Sequence, residues 1–359
     1  MIVRPTLCYQ RSLRRICGPE PDVLFLFLKD LIMQVLITGG AGLLGTRLAQ
    51  RLLQCGALIG PDGVAQTITR ITLLDIVAAP AALLVDPRIE SVVGDIGDPA
   101  CIDAVLTPQT HSVFHLAAVV SGQAEADFDL GMRINLDATR LLLQRARGNG
   151  NRPRFVFTSS VAVFGGKLPA RVPDDCTPQP QSSYGVQKVL GELLVNEYTR
   201  RGFIDGRALR MPTVCVRPGA PNKAASGFAS GIIREPLNGI EAICPVAPET
   251  IMWLASPVTA IDHLKHAHEI DGSAFGGNRI VSLPGLSTTV RNMADALERV
   301  AGTEVSERIR WQPDAAIERM VNSWPGDFIT ARADAMGFGR DTNFDDIVRA
   351  YVRDELSAK

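Results

Sequence analysis

Tyr184 and Lys188 stand four residues apart in Ser183-Tyr184-Gly185-Val186-Gln187-Lys188. On a helix that spacing puts both side chains on one face, one turn apart. A phenol with its ordinary pKa of about 10 stays protonated at neutral pH and is a poor base. A cation one turn away favours the phenolate and draws the pKa toward the working range. Upstream, the apolar stretch Phe155-Val156-Phe157 runs into Thr158-Ser159-Ser160. Hydroxyls at such a strand end can hold a substrate oxygen as it changes between alcohol and carbonyl. Tyr-x-x-x-Lys alone arises by chance in many chains. It becomes specific when the same chain carries a site for a hydride acceptor.

Such a site opens the chain's first regular segment. Val35-Leu36-Ile37 is a continuous apolar run of the kind buried in a parallel sheet. It feeds Thr38-Gly39-Gly40-Ala41-Gly42-Leu43-Leu44-Gly45, then a helical pattern with Leu48, Leu52 and Leu53 on one face. Glycines 39, 42 and 45 thus fall on a strand-to-helix turn. There they permit a tight turn, close backbone approach to a pyrophosphate and tight helix packing, with free N–H groups facing the phosphates. A second strand, Ile71-Thr72-Leu73-Leu74, ends at Asp75 after a Gly/Pro-bearing loop at 56–66. A carboxylate there can take both hydroxyls of an adenosine ribose and repels a 2′-phosphate, so NAD is expected and not NADP.

Two further strands come next. Ser91-Val92-Val93-Gly94-Asp95-Ile96 ends in an acid that either bonds an adenine amino group, with Ile96 on the ring, or caps the helix from Pro99. Val113-Phe114-His115-Leu116-Ala117-Ala118 carries a histidine that reads as a core residue, and two alanines that leave room for a cofactor. A helix is expected over 131–147.

The whole-chain composition fits a folded enzyme. Its 359 residues carry 37 Lys and Arg against 38 Asp and Glu, a net charge of −1, so no nucleic-acid partner is expected. With 46% hydrophobic and 21% charged residues the chain is not disordered. The apolar run at 23–28 is too short to span a bilayer, so no membrane is expected either. Seven cysteines are scattered without a Cys-x-x-Cys pair, which reads as reduced thiols in the cytoplasm. Residues 1–32 do not match the rest of the chain and lack a cleavage signal. They read as an extension that is disordered or not native, with Met33 standing directly before the opening strand.

From about 33 to about 300 the chain resembles the extended short-chain dehydrogenase/reductase superfamily, which includes the sugar-nucleotide epimerases and dehydratases. Within it, three segments carry a narrower likeness to members that oxidise a four-carbon sugar acid: 121–131, Ser159-Ser160-Val161-Ala162-Val163-Phe164-Gly165, and 210–239. The resemblance implies an α/β fold, a Rossmann-type doubly wound parallel sheet with a smaller C-terminal substrate-binding part. The expected division is an NAD-binding domain at 33–213 and a substrate part at 214–359, with segments near 257–271 returning to the first domain.

The resemblance also implies roles. Gly39, Gly42, Leu43, Leu44 and Gly45 would hold the pyrophosphate, Asp75 the ribose, and Asp95 and Ile96 the adenine. Leu116, Ala117, Ala118 and Asn135 would line the path to the nicotinamide, with Pro212 and Thr213 beside its carboxamide. Ser160 would be the catalytic hydroxyl, with Ser159 as the alternative, Tyr184 the base, and Lys188 the group that binds the nicotinamide ribose and lowers the tyrosine pKa. Dehydratases carry Asp-Glu directly after their Ser/Thr; here Val161 and Ala162 stand instead, and Phe164 replaces the tyrosine common in epimerases. A homodimer paired through the helices near 131 and 184 is implied as well.

For a small polyol carboxylate, Arg217 is the leading candidate for the carboxylate, because a guanidinium is a planar two-pronged donor. The competing reading pairs it with a surface acid. Lys223 is second, Ser121, Ser160 and Asn222 are candidates for hydroxyl contacts alongside Tyr184, and Trp253 reads equally as a roof or as core. His263, His266 and His268 invite a metal reading, but 268 points away from 266 on a helix, and no metal is expected. The activity expected is NAD-dependent oxidation of a C2 hydroxyl. The competing readings are a sugar-nucleotide 4-epimerase using the same residues and a non-catalytic NAD-binding regulator.

Overall fold

The computed structural model describes residues 32–219 and 224–356. In chain order the elements that matter are β1 (Ile32–Thr38), α1 (Leu43–Cys55), β2 (Ala57–Ile59), β3 (Ala65–Asp75), β4 (Ile89–Val93), α2 (Pro99–Val105), β5 (Ser112–His115), α3 (Ser121–Ala126), α4 (Ala138–Asn149), β6 (Arg154–Ser160) and α5 (Ser183–Arg200). There follow β7 (Asp205–Met211), β8 (Thr213–Val214), α6 (Gly227–Leu237), β9 (Ala242–Cys244), β10 (Ile251–Ala255), α7 (Pro257–Glu269), β11 (Ile280–Ser282), β12 (Leu286–Thr289), α8 (Val290–Ala301), β13 (Ile309–Trp311), α9 (Ala315–Asn322) and α10 (Phe344–Tyr351).

Eight strands make the main sheet, in the order β11-β7-β6-β5-β1-β3-β2, with β4 also paired to β3. All pairs are parallel except β2 with β3. The chain leaves β1 for β3 on one side and returns to β5 on the other. Strand order therefore reverses at β1 and β5, and a crevice opens beyond their carboxyl ends.

Alternation along the strands builds two cores. Val35, Ile37, Phe114 and Val156 face α1 (Leu48, Leu52) and α7 (Ala260, Leu264). Leu36, Val113, Phe155 and Phe157 face α4 (Leu142, Leu143, Ala146) and Val195 of α5. A third core gathers α6, α8 and α10 around Cys244, Met252 and Leu254. There β10 pairs with β8 and β12, and β9 with β13.

Two expectations need correction. The second strand begins at Ala65, not at Ile71, and the 56–66 segment is not a plain loop: it folds β2 back antiparallel onto Ala65, Gln66 and Thr67. The helix expected over 131–147 opens with a π turn at Met132–Asp137 before α4. An apolar periodicity reports a helical face but cannot distinguish one wider turn within it.

His115 ties the centre together. Thr139 Oγ1 donates to the Asn135 carbonyl (2.9 Å) and so accepts from His115 Nε2 (2.8 Å). Nδ1 then accepts from Thr38 Oγ1 (2.7 Å), which itself accepts from the Ala117 N–H (3.3 Å). One neutral imidazole thus joins β1, β5 and α4, and holds the loop where the crevice begins. Full burial, with the nearby Lys188 charge, pushes its pKa down to about 3. The unfolded chain binds a proton at this residue between about 6.5 and 3 and the folded chain does not, so stability falls as pH falls through that window, by about 1.4 kcal/mol per pH unit. His115→Leu is expected to remove one proton from the acid slope while costing roughly 1–3 kcal/mol at pH 7, chiefly through the buried Thr38 hydroxyl left without an acceptor. Urea unfolding at pH 7, 6 and 5 measures both, and an unchanged slope contradicts the assignment.

Candidate active site

The crevice is a cavity of about 590 Å³ running from the glycine turn and Asp75 to Tyr184 and Arg217. At its first end the turn must be tight. A Cβ on Gly45 would stand 2.2 Å from the Gly39 carbonyl oxygen, so only glycine lets α1 start this close to β1. The first intrahelical bond is Thr46 N–H to Gly42 O, and the first turn holds no acid. The N–H groups of Leu43, Leu44 and Gly45 are therefore free of intrahelical acceptors and able to receive an anion.

Asp75 props this turn while lining the cavity: Oδ2 accepts from the Ala41 N–H (3.0 Å) and Oδ1 from that of Ile76 (2.7 Å). Asp95 also lines it, bonded to Arg133 (2.7 Å) and the Gly97 N–H (2.7 Å), which together hold its carboxyl below the ordinary range against partial desolvation. The cap of α2 is Asp98, not Asp95. Ile96, Leu116, Ala117 and Ala118 complete this wall.

At the other end α5 lies hard against the end of β6. A Cβ on Gly185 would stand 2.3 Å from the Ala162 carbonyl oxygen, so glycine beside Tyr184 lets the helix approach. The Ser182 hydroxyl caps α5 by accepting from the Gly185 N–H (3.2 Å). The helix thereby hydrogen-bonds Tyr184 to Ser160 and brings Lys188 Nζ to the Thr158 carbonyl (2.8 Å), 5.5 Å from the Tyr184 ring centre. Ser160, Tyr184, Lys188, Pro212 and Thr213 all line the cavity.

Desolvation dominates both titratable groups. Tyr184 is pushed up to about 12, opposed by the Ser160 hydrogen bond and the Arg217 charge. Lys188 is pushed down to about 7, opposed by Glu192 one turn further along the helix. Arg217 is a cation whose charge opposes the rise at Tyr184, and Lys188 stands one turn along the same helix face, 5.5 Å from the ring centre.

Ser159 also lines the cavity, but its hydroxyl is engaged elsewhere. Its hydroxyl donates to Glu192 Oε1 (2.5 Å), and Glu192 takes a two-pronged bond from Arg210 of β7 (2.9 and 2.8 Å). This buried set engages the Ser159 hydroxyl, whereas Ser160 Oγ accepts from the Ala162 N–H (3.1 Å) and meets Tyr184. Asn135 also departs from expectation. Its amide accepts from the Val119 N–H and donates to Val119 O and Gln187 Oε1 (2.8, 3.0 and 2.7 Å), so it pins the wall from behind and does not line it.

Arg217 lies half-buried in the wall near Tyr184, with no ion pair to any described acid. Among the described residues its Nη2 reaches only Ser226 Oγ (3.5 Å). Ser121 lines the same end, where its hydroxyl accepts from the Ala225 N–H (3.4 Å). Asn222 and Lys223 lie outside the described residues. Gln123, Ser226 and Trp324 line the cavity without having been singled out in the sequence. The first two fall inside the stretches that carry the family likeness, whereas Trp324 has no local signal. Trp253 is core: its indole N–H donates to Leu283 O (3.3 Å) and its ring packs on Phe328. The three clustered histidines turn to three partners, Gly339 O, Met336 O and Ser112 Oγ.

A dinucleotide-binding crevice joined to a Ser/Tyr/Lys set defines a class of oxidoreductase fold, and residues 35–251 match the model of the NAD dependent epimerase/dehydratase family. The chain belongs to that family. Within it, the chain is 56% identical to the D-erythronate dehydrogenase of Cupriavidus necator over 327 residues, 91% of this chain and all of that protein. It is 41% identical to the D-erythronate dehydrogenase of Haemophilus influenzae over 324 residues, 90% of this chain and again the whole relative. Among solved structures, a nucleoside-diphosphate-sugar epimerase from Agrobacterium tumefaciens superposes with a TM-score of 0.84 at 42% identity, covering 91% of this chain and 95% of that one. L-Threonine 3-dehydrogenase from Trypanosoma brucei shares the fold (TM-score 0.77, 24% identity, 89% and 96% covered).

Proposed function

We propose that this chain oxidises the C2 hydroxyl of D-erythronate to 2-oxo-D-erythronate, with NAD as hydride acceptor. The observation that carries the reading is Arg217: a cation in the cavity wall, beside the tyrosine and without a described acid partner, is suited to a substrate carboxylate. Similarity to two D-erythronate dehydrogenases supports the choice of acid.

The residues fit the cofactor. The free N–H groups of Leu43, Leu44 and Gly45 receive the pyrophosphate on a turn kept open by Gly39 and Gly42. Asp75 takes the ribose hydroxyls, and Asp95 and Ile96 the adenine. Leu116, Ala117, Ala118, Pro212 and Thr213 flank the nicotinamide, and Lys188 holds its ribose, with Asn135 supporting from behind. When bound, NAD supplies an electrophilic carbon for the hydride. Arg217 grips the carboxylate, and Ser121 and Ser160 take hydroxyls. Ser160 also orients the C2 oxygen, and Tyr184 as phenolate accepts its proton.

A sugar-nucleotide 4-epimerase would use the same Ser160, Tyr184 and Lys188, and the Agrobacterium structure bears such a name. It would also need room for a second nucleotide in the C-terminal part, yet beyond Ser226 only Trp324 among the described residues reaches the cavity. The division into an NAD-binding unit at 33–213 and a substrate part at 214–359 belongs to this reading, with 257–271 packed back on the first unit. So does a cytoplasmic setting, supported by five described cysteines that are all free. No described helix is long and apolar enough to cross a membrane.

Tyr184→Phe is expected to lower NADH formation from D-erythronate by 10²–10⁴-fold while leaving NAD binding intact. In the wild type the rate should rise with pH from 7 toward 10, because the group that must lose a proton titrates high. Arg217→Ala should raise KM for the acid by roughly 10–100-fold, the worth of a charged hydrogen bond, without weakening NAD. Steady-state kinetics with fluorescence titration of the cofactor decides, and an unchanged KM removes Arg217 from the carboxylate site.

The homodimer implied by the helices at 131 and 184 would cover Phe128, Val186 and Leu193, which are exposed at 58, 43 and 56%. Sedimentation velocity should give a dimer for the wild type and a monomer for Leu193→Glu; a wild-type monomer contradicts it.

A further inference from the structure

Trp324 is the one described residue beyond Ser226 that lines the cavity, so among the described residues it alone brings the C-terminal third to this space. Behind it lies a second, small void, lined by Trp324 together with Val161, Thr213, Met252, Trp253 and Pro325. Val161 and Thr213 line both spaces. They immediately follow Ser160 and Pro212, so the indole stands as the partition at the substrate end of the cavity.

The backbone that carries the indole is fixed in place. The Trp324 backbone N–H donates to Val321 O at the end of α9 (3.1 Å). Two residues later, Gly326 O accepts from Ser287 Oγ (2.7 Å), and a Cβ on Gly326 would stand 2.6 Å from the Ile251 side chain, so the strap is pressed onto β10. Beyond it, Val172 and Phe328 form a bridge, with Val172 N–H to Asp327 O (3.0 Å) and Ile329 N–H to Val172 O (2.9 Å). A ligand that presses on Trp324 meets a residue whose backbone is bonded on both sides.

We propose that Trp324 gauges chain length, closing the substrate end against sugar acids longer than four carbons. This rests on the reading of the site as one for a short 2-hydroxy acid. A rigid apolar wall discriminates by roughly 10–200-fold for each carbon unit that does not fit, and removing it merges the cavity with the void behind.

The test compares wild type, Trp324→Ala and Trp324→Phe on D-erythronate, D-ribonate and D-allonate, which share the C2 and C3 configuration at four, five and six carbons. Oxidation is measured as NADH formation, and binding by calorimetry in the presence of NADH. Wild type should favour the four-carbon acid over the five-carbon one by at least about tenfold in both measures. Trp324→Ala should shrink that preference at least tenfold, Trp324→Phe should fall between, and the NAD dissociation constant should stay unchanged. An equal loss on all three acids, or an unaltered preference, overturns the gauge. If no acid is oxidised but length-dependent binding is abolished in Trp324→Ala, the gauge stands and the reaction assignment falls. If none of the acids binds, both fall.

Discussion

The close approach of α5 to the end of β6 is the constraint on which the site depends. Gly185 leaves just enough space for the Ala162 carbonyl, and that contact decides where Tyr184 and Lys188 end up. With any larger residue the helix would shift outward and Tyr184 would lose Ser160. Lys188, held to the Thr158 carbonyl at 2.8 Å, would lose its anchor with it. The approach also removes both groups from water, and their chemistry follows from that removal. A phenol and an ammonium side by side in water would each titrate near about 10; here burial drives them apart, to about 12 and about 7.

Charges arranged around the pair work against desolvation. Glu192 acts on Lys188 from below and is itself neutralised by Arg210 and bonded to Ser159. His115, which also faces Lys188, is held neutral by burial and adds no competing charge. Arg217 acts on Tyr184 from the substrate side. A single guanidinium thereby lines the cavity wall and favours the ionised form of the tyrosine. The Ser160, Tyr184 and Lys188 end is thus set by the end of β6 and by α5, while later residues add Arg217 and Ser226 to the wall and Trp324 beyond them.

What could be seen in the chain before folding was the local geometry. The Tyr184/Lys188 spacing, the three glycines and an acid ending the second strand each declare themselves within a few residues, and all of these line one cavity. Ser160 is set apart from Ser159 in the chain only by likeness to relatives; in the fold the two hydroxyls have different partners, Glu192 for Ser159 and the Ala162 N–H for Ser160. Properties that depend on packing were illegible. The π turn buries Asn135 behind the wall, and no periodicity reports it. Glu192 reads as an ordinary acid on a helix until β7 brings Arg210 against it. Trp253 and Trp324 are two isolated tryptophans in sequence, and only the path of the strap after α9 decides which becomes core and which becomes wall.

The central claim is that this cavity turns over a short sugar acid with net reduction of NAD. Purified protein with NAD, monitored at the NADH absorbance band, tests it against D-erythronate, L-threonate, L-threonine and a UDP-sugar. Sustained NADH formation with D-erythronate, and not with the other three, is the predicted result. Silence with every acid, together with interconversion of the UDP-sugar and no net NADH, would contradict it and assign the same residues to epimerisation.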